Sequence, residues 1–156
     1  MFTRINAYDL TFVLTAIAFN LLIVGIFVAQ NNGRAKQVKV LGVLWLLLAI
    51  PLAVVLVRYL AEGKSPGIML SLGLVFLYML VEFLLDYVLK IDFRQKWITH
   101  APYIVLEYIA LYCLIRIAFQ IDRTGGYLVS ISFWILLAGL IYVYWDQIKP
   151  RKKECQ

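Results

Sequence analysis

The stretch LVEFLLDYVLKIDFR, residues 80–94, decides how this chain is read. Its apolar positions belong to a membrane-spanning helix, yet it carries Glu82, Asp86, Lys90, Asp92 and Arg94. A charged side chain at the centre of a spanning helix costs about 2.5–3.5 kcal/mol, so such groups face a bundle interior, pair with one another, or change protonation.

Working outward, the surroundings fit a membrane. The chain has 156 residues, 63% of them hydrophobic, against roughly 45–50% in soluble proteins. Crossing about 30 Å of hydrocarbon takes about 20 mostly apolar residues. Five segments meet that length: residues 8–30, 38–60, 68–90, 101–120 and 127–145. Between them lie QNNGRAKQ (30–37), EGKSPG (62–67), IDFRQKWITHAP (91–102) and DRTGG (122–126), all polar and most holding Gly or Pro. Connections this short make neighbouring helices antiparallel. The expected fold is therefore all-α: five transmembrane helices in an up-down bundle, one transmembrane domain over residues 1–156. The start, MFTRINAYDL, has no A-x-A-like exit and reads as retained.

Orientation follows from where Lys and Arg collect, because cytoplasmic loops keep positive charge. Arg34, Lys36, Lys39, Lys90, Arg94, Lys96, Lys149, Arg151, Lys152 and Lys153 fall on one side, and Arg4, Arg58, Lys64, Arg116 and Arg123 on the other. This places the N-terminus outside and the C-terminus in the cytoplasm of a cell that holds the protein in its plasma or inner membrane. Aromatic residues near the span ends, among them Tyr8, Tyr59, Trp97, Tyr127 and Trp145, suit headgroup depth. The net charge of +6 is spent on topology, and the scatter of its basic residues excludes a nucleic-acid partner.

On the third span, Ser71, Val75, Tyr78, Glu82, Asp86 and Lys90 recur every three or four residues and share one face. With the span centre near Met79, Glu82 lies about 5 Å and Asp86 about 10 Å toward the cytoplasm at 1.5 Å per residue. The fourth span returns with Tyr103 and Glu107. A symmetric hairpin sets Glu82 level with Glu107 and Asp86 level with Tyr103. Three carboxylates and two tyrosines, Tyr78 and Tyr103, then converge in the cytoplasmic half of the bundle. Two carboxylates sharing a low-dielectric site disfavour one another's charge, which makes a shared-proton or cation site. His100, the single histidine, precedes Ala101-Pro102 at the expected start of the fourth span, where a capping or interfacial role is the first reading and proton exchange with Asp86 or Glu107 the second. Pairing of the acids with Lys90, Arg94 or His100 at the rim is the plainer alternative.

The remaining polar groups read structurally. Asp9, Arg58, Glu62 and Arg116 sit at the outer ends of their helices and suit a ring of ion pairs. Asn20, mid-span, suits a bond across helices, and Pro51 a kink in the second span. Gly139 near Ser132 suggests close helix contact, and Cys113 a small buried apolar residue. Several patterns are absent: CxxC, H-E-x-x-H, D-x-x-D-G and any nucleophile elbow. No catalytic residue, metal or cofactor is therefore assigned. The leading expectation is a buried acidic site, Glu82, Asp86 and Glu107 with Tyr78, Tyr103 and His100, that takes a proton, a cation or an amine-bearing small molecule for transport or sensing. Behind it stand a structural or accessory subunit of a larger membrane complex or homo-oligomer and, further back, a lipid-modifying enzyme.

Overall fold

The computed structural model describes residues 6–89 and 97–148. Their regular structure is helical: α1 (Ala7–Asn31), α2 (Ala35–Leu47), α3 (Ala49–Ala61), α4 (Pro66–Phe83) running on into a π-helical segment Leu84–Leu89, α5 (Trp97–Ile121) and α6 (Arg123–Ile148). These make five spans long and apolar enough to cross a membrane, with α2 and α3 together forming the second.

The helix ends follow local chemistry. Gly33 (φ 67°) and Gly63 (φ 63°) take the left-handed conformation that a side chain resists. After Gly63, Lys64 N–H donates to Tyr59 O at 3.1 Å and Gly63 N–H to Leu60 O at 3.2 Å. After Gly33, Arg34 N–H reaches Ala29 O and Gly33 N–H reaches Gln30 O in the same way. Both pairs are Schellman closures, which satisfy the last carbonyls of α1 and α3. Pro51 has no amide hydrogen, so Leu47 O loses its helical donor. The chain responds at Leu48, whose N–H turns back to Trp45 O at 3.1 Å, and the second span becomes two short rods. Pro66 opens α4 at its first turn, where a missing N–H costs nothing.

Two boundaries differ from the sequence reading. Pro102 lies inside α5, which begins a turn earlier at Trp97, because spanning helices tolerate the single bond a proline removes. DRTGG contributes only Asp122 as a connection, since α6 starts at Arg123. Asp122 Oδ2 accepts from Gly125 N–H at 3.0 Å and caps α6. The two glycines serve close packing instead of a loop. A Cβ at residue 126 would run into the Phe119 ring, and one at residue 125 would meet Val13 Cγ2 at 2.9 Å.

The helix α1 packs against α2, α3, α5 and α6, while α4 bridges α3 and α5. Phe12, Phe19, Leu52, Val75, Leu114 and Val129 are fully buried in the core of the bundle. Asn20 donates to Ser132 Oγ at 2.7 Å and to Val129 O at 3.5 Å, tying α1 to α6. Gly139 lets Val24 approach a turn further on, where a Cβ would lie 3.2 Å away. Cys113 is buried. The outer faces carry large exposed apolar residues such as Leu14, Val57, Leu70, Ile131 and Trp134. Apolar surface both inside and out is how a bundle solvated by lipid looks, and the chain is an integral membrane protein with a bilayer around it.

Candidate functional site

The stripe of α4 turns inward over its first part and opens at its end. Ser71, Val75 and Tyr78 are buried, Glu82 is half-buried, and Asp86 is exposed. Tyr103 on α5 donates its hydroxyl to Glu82 Oε2. It also lies 3.1 Å from the Tyr78 hydroxyl. A tyrosine has one O–H to give, and Tyr103 gives its own to the carboxylate. While Glu82 is ionised, Tyr78 is therefore the donor in the second bond. The result is a directed relay, Tyr78 to Tyr103 to Glu82, crossing from α4 to α5 and back. Glu107, one turn further along α5 and only 8% exposed, stands within electrostatic reach of both hydroxyls.

Tyr103 meets Glu82 rather than Asp86, one helical turn from the symmetric register. Asp86 is exposed and lies in the segment Leu84–Leu89, whose i→i+5 bonding differs from that of the α-helix before it. Tyr87 in the same segment lies over α2, its hydroxyl 2.6 Å from where a Cβ at Gly42 would stand, and its ring stacks on Phe83 at 6.0 Å. His100 belongs to α5, but its side chain falls outside the described residues. Lys90, Asp92, Arg94 and Lys96 also lie outside them.

The sequence reading missed the wall behind this relay. Phe19 of α1 and Trp45 of α2 pack with ring centroids 4.8 Å apart. Trp45 meets Tyr78 edge-on at 5.6 Å, and Tyr78 meets Tyr103 at 5.8 Å. Two helices, α1 and α2, thus back the tyrosines of α4 and α5 from the apolar side. Trp45 Nε1 is buried with no hydrogen-bond partner among the described residues, and so is Asn20 Oδ1. The available signal was position: Trp45 sits deep in a span, away from the headgroup depth where tryptophan collects.

The end of the bundle that the charge count assigns to the outside carries a polar clamp whose membership also differs. Arg58 pairs with Glu62 at 2.8 Å. Asp9 accepts from the buried Tyr59 hydroxyl at 2.7 Å and pairs with Lys64 at 3.5 Å. Arg58 lies over the Tyr8 ring at 5.2 Å. Arg116 does not join the clamp among the described residues; its guanidinium lies beside Gly67 at the start of α4. Lys64, expected only as a topological charge, takes the place foreseen for it, because the turn after α3 carries it over the start of α1.

No family model, curated protein or solved structure matches this chain. Chemistry has to be read from the site alone. Among the described residues no three His, Cys, Asp or Glu side chains converge as a metal site requires. The inner site offers instead carboxylate oxygens, two phenol hydroxyls and an aromatic wall. Those groups accept hydrogen bonds and positive charge, and can pass a proton along a line.

Proposed function

We propose that this protein takes a proton, an inorganic cation or an amine-bearing small molecule at Glu82 and Glu107, in the service of transport or sensing. The observation that carries the reading is the directed relay from Tyr78 through Tyr103 to Glu82, with Glu107 buried beside it. A carboxylate placed inside a lipid-facing bundle and supplied with a phenol donor is costly for packing alone, and intramembrane acids mark ion or proton paths. The distribution of Lys and Arg sets the N-terminus outside and opens the site toward the cytoplasm. Asp86, exposed in the π-helical segment, stands where an entering cation first meets a carboxylate.

The test is uptake into vesicles holding the purified full chain, followed with a proton-sensitive dye and with labelled monovalent cations or amines. Glu82→Gln and Glu107→Gln each abolish the signal in this reading, while Asp86→Asn slows it. Uptake unchanged in both glutamine variants would sink the proposal. Unchanged uptake together with stoichiometric partners retained in mild detergent would replace it with an accessory role in a larger complex.

A further inference from the structure

We propose that the start of α2 is a docking groove for one anionic phospholipid, independent of the acidic site. Lys36, Gln37, Val40 and Leu41 line a surface groove of about 410 Å³. Lys36 belongs to its lining, Arg34 and Lys39 are exposed on the same helix start within one turn and a half, and none of the three is ion-paired among the described residues. No Asp or Glu occurs between Asp9 and Glu62, so nothing in this part of the sequence neutralises them. Further along, the same side of α2 is apolar and uncovered, with Val40 60%, Val43 47%, Leu44 45% and Leu47 50% exposed. Trp45 is the one buried residue of the whole helix.

The dimensions select a lipid over a free anion. From Lys36 to the end of α2 at Leu47, the rise is about 16 Å at 1.5 Å per residue. Half of a hydrocarbon core is about 15 Å. The helix is one leaflet tall, because the break at Leu48 stops it there. A phosphate at Lys36 and Lys39 therefore leaves an acyl chain lying along Val40, Val43 and Leu47, ending where the helix ends. Leu41 closes one side by packing over Gly25 of α1, where a Cβ would lie 3.3 Å from Leu41 Cδ1.

Native mass spectrometry of the full chain, released from micelles holding equal phosphatidylglycerol and phosphatidylcholine, reads this directly. One phosphatidylglycerol is retained per chain in preference to phosphatidylcholine. Lys36→Gln and Lys39→Gln each weaken that retention about fivefold, the worth of one basic side chain at an anionic surface. Val40→Trp fills the groove, leaves the charges untouched, and also displaces the lipid. The position is exposed, so folding survives, and an unchanged helical spectrum checks it. Equal retention of phosphatidylcholine overturns the proposal, as does retention indifferent to Lys36→Gln. Retention lost with Lys36→Gln but indifferent to Val40→Trp, or competed away by glycerophosphate, means a headgroup-only anion site and also overturns it. So does a preference that disappears only when Lys149, Arg151, Lys152 and Lys153 are neutralised, or a stoichiometric protein partner found in place of lipid.

Discussion

Removing the hydroxyl of Tyr103 tests the direction of the relay more sharply than removing a carboxylate does. Tyr103→Phe deletes the bond given to Glu82, worth about 1.5–3 kcal/mol when the acceptor is charged, and the bond received from Tyr78, worth about 0.5–1.5 kcal/mol. The expected loss is about 2–4.5 kcal/mol. Tyr78→Phe deletes only the weaker bond and costs about 0.5–1.5 kcal/mol, near the 0.6 kcal/mol average for bonds between spanning helices. The double variant is the decisive one. Once Tyr103 lacks its oxygen, the Tyr78 hydroxyl is a buried donor without an acceptor, and replacing it relieves that penalty. The double variant is therefore no less stable than Tyr103→Phe alone. Reversible unfolding in mixed micelles, with rising mole fraction of dodecyl sulfate and helicity as the signal, gives all four corners of the cycle. Strictly additive losses, or a Tyr78→Phe loss larger than that of Tyr103→Phe, would refute the directed chain.

At the outer clamp, Asp9→Ala strips the buried Tyr59 hydroxyl of its acceptor and lowers stability by about 1–3 kcal/mol, whereas Lys64→Ala loses a partly exposed pair worth about 0.2–1 kcal/mol. The same unfolding titration ranks them, and added salt erases the Lys64 effect while sparing that of Asp9. At the contact between α2 and the π-helical segment, Gly42→Ala sets a methyl against the Tyr87 hydroxyl, the tip of a half-buried side chain that can swing aside, and the roughly 1 kcal/mol of helix propensity that alanine gains offsets the clash, so the net loss stays below about 1 kcal/mol. Tyr87→Phe in the same chain removes the obstructing oxygen and restores most of the loss. Two losses that simply add would refute that contact.

The five spans were readable because crossing a bilayer demands a long apolar run, and such a run leaves a trace in any sequence. The inward stripe Ser71–Val75–Tyr78–Glu82 was readable for a related reason, since a 3.6-residue repeat survives as long as the helix stays α. Periodicity carries no warning that the helix becomes π-helical over Leu84–Leu89, where Asp86 is exposed. The level of Tyr103 against Glu82 depends on how the chain turns between two helices, which spacing within either helix does not encode. Phe19 carried no signal as a site wall because an aromatic side chain in an apolar run looks the same facing lipid or interior, while the depth of Trp45 marked it as unusual without naming its neighbours. Lys64 and Arg116 exchanged expected roles because charge counts assign a side of the membrane but not a partner.

The single residue between α5 and α6 has a bearing on biogenesis. With Asp122 as the whole linker and the Phe119 ring pressed onto Gly126, these helices leave the insertion machinery as one forked piece. No epitope tag or protease site fits between them.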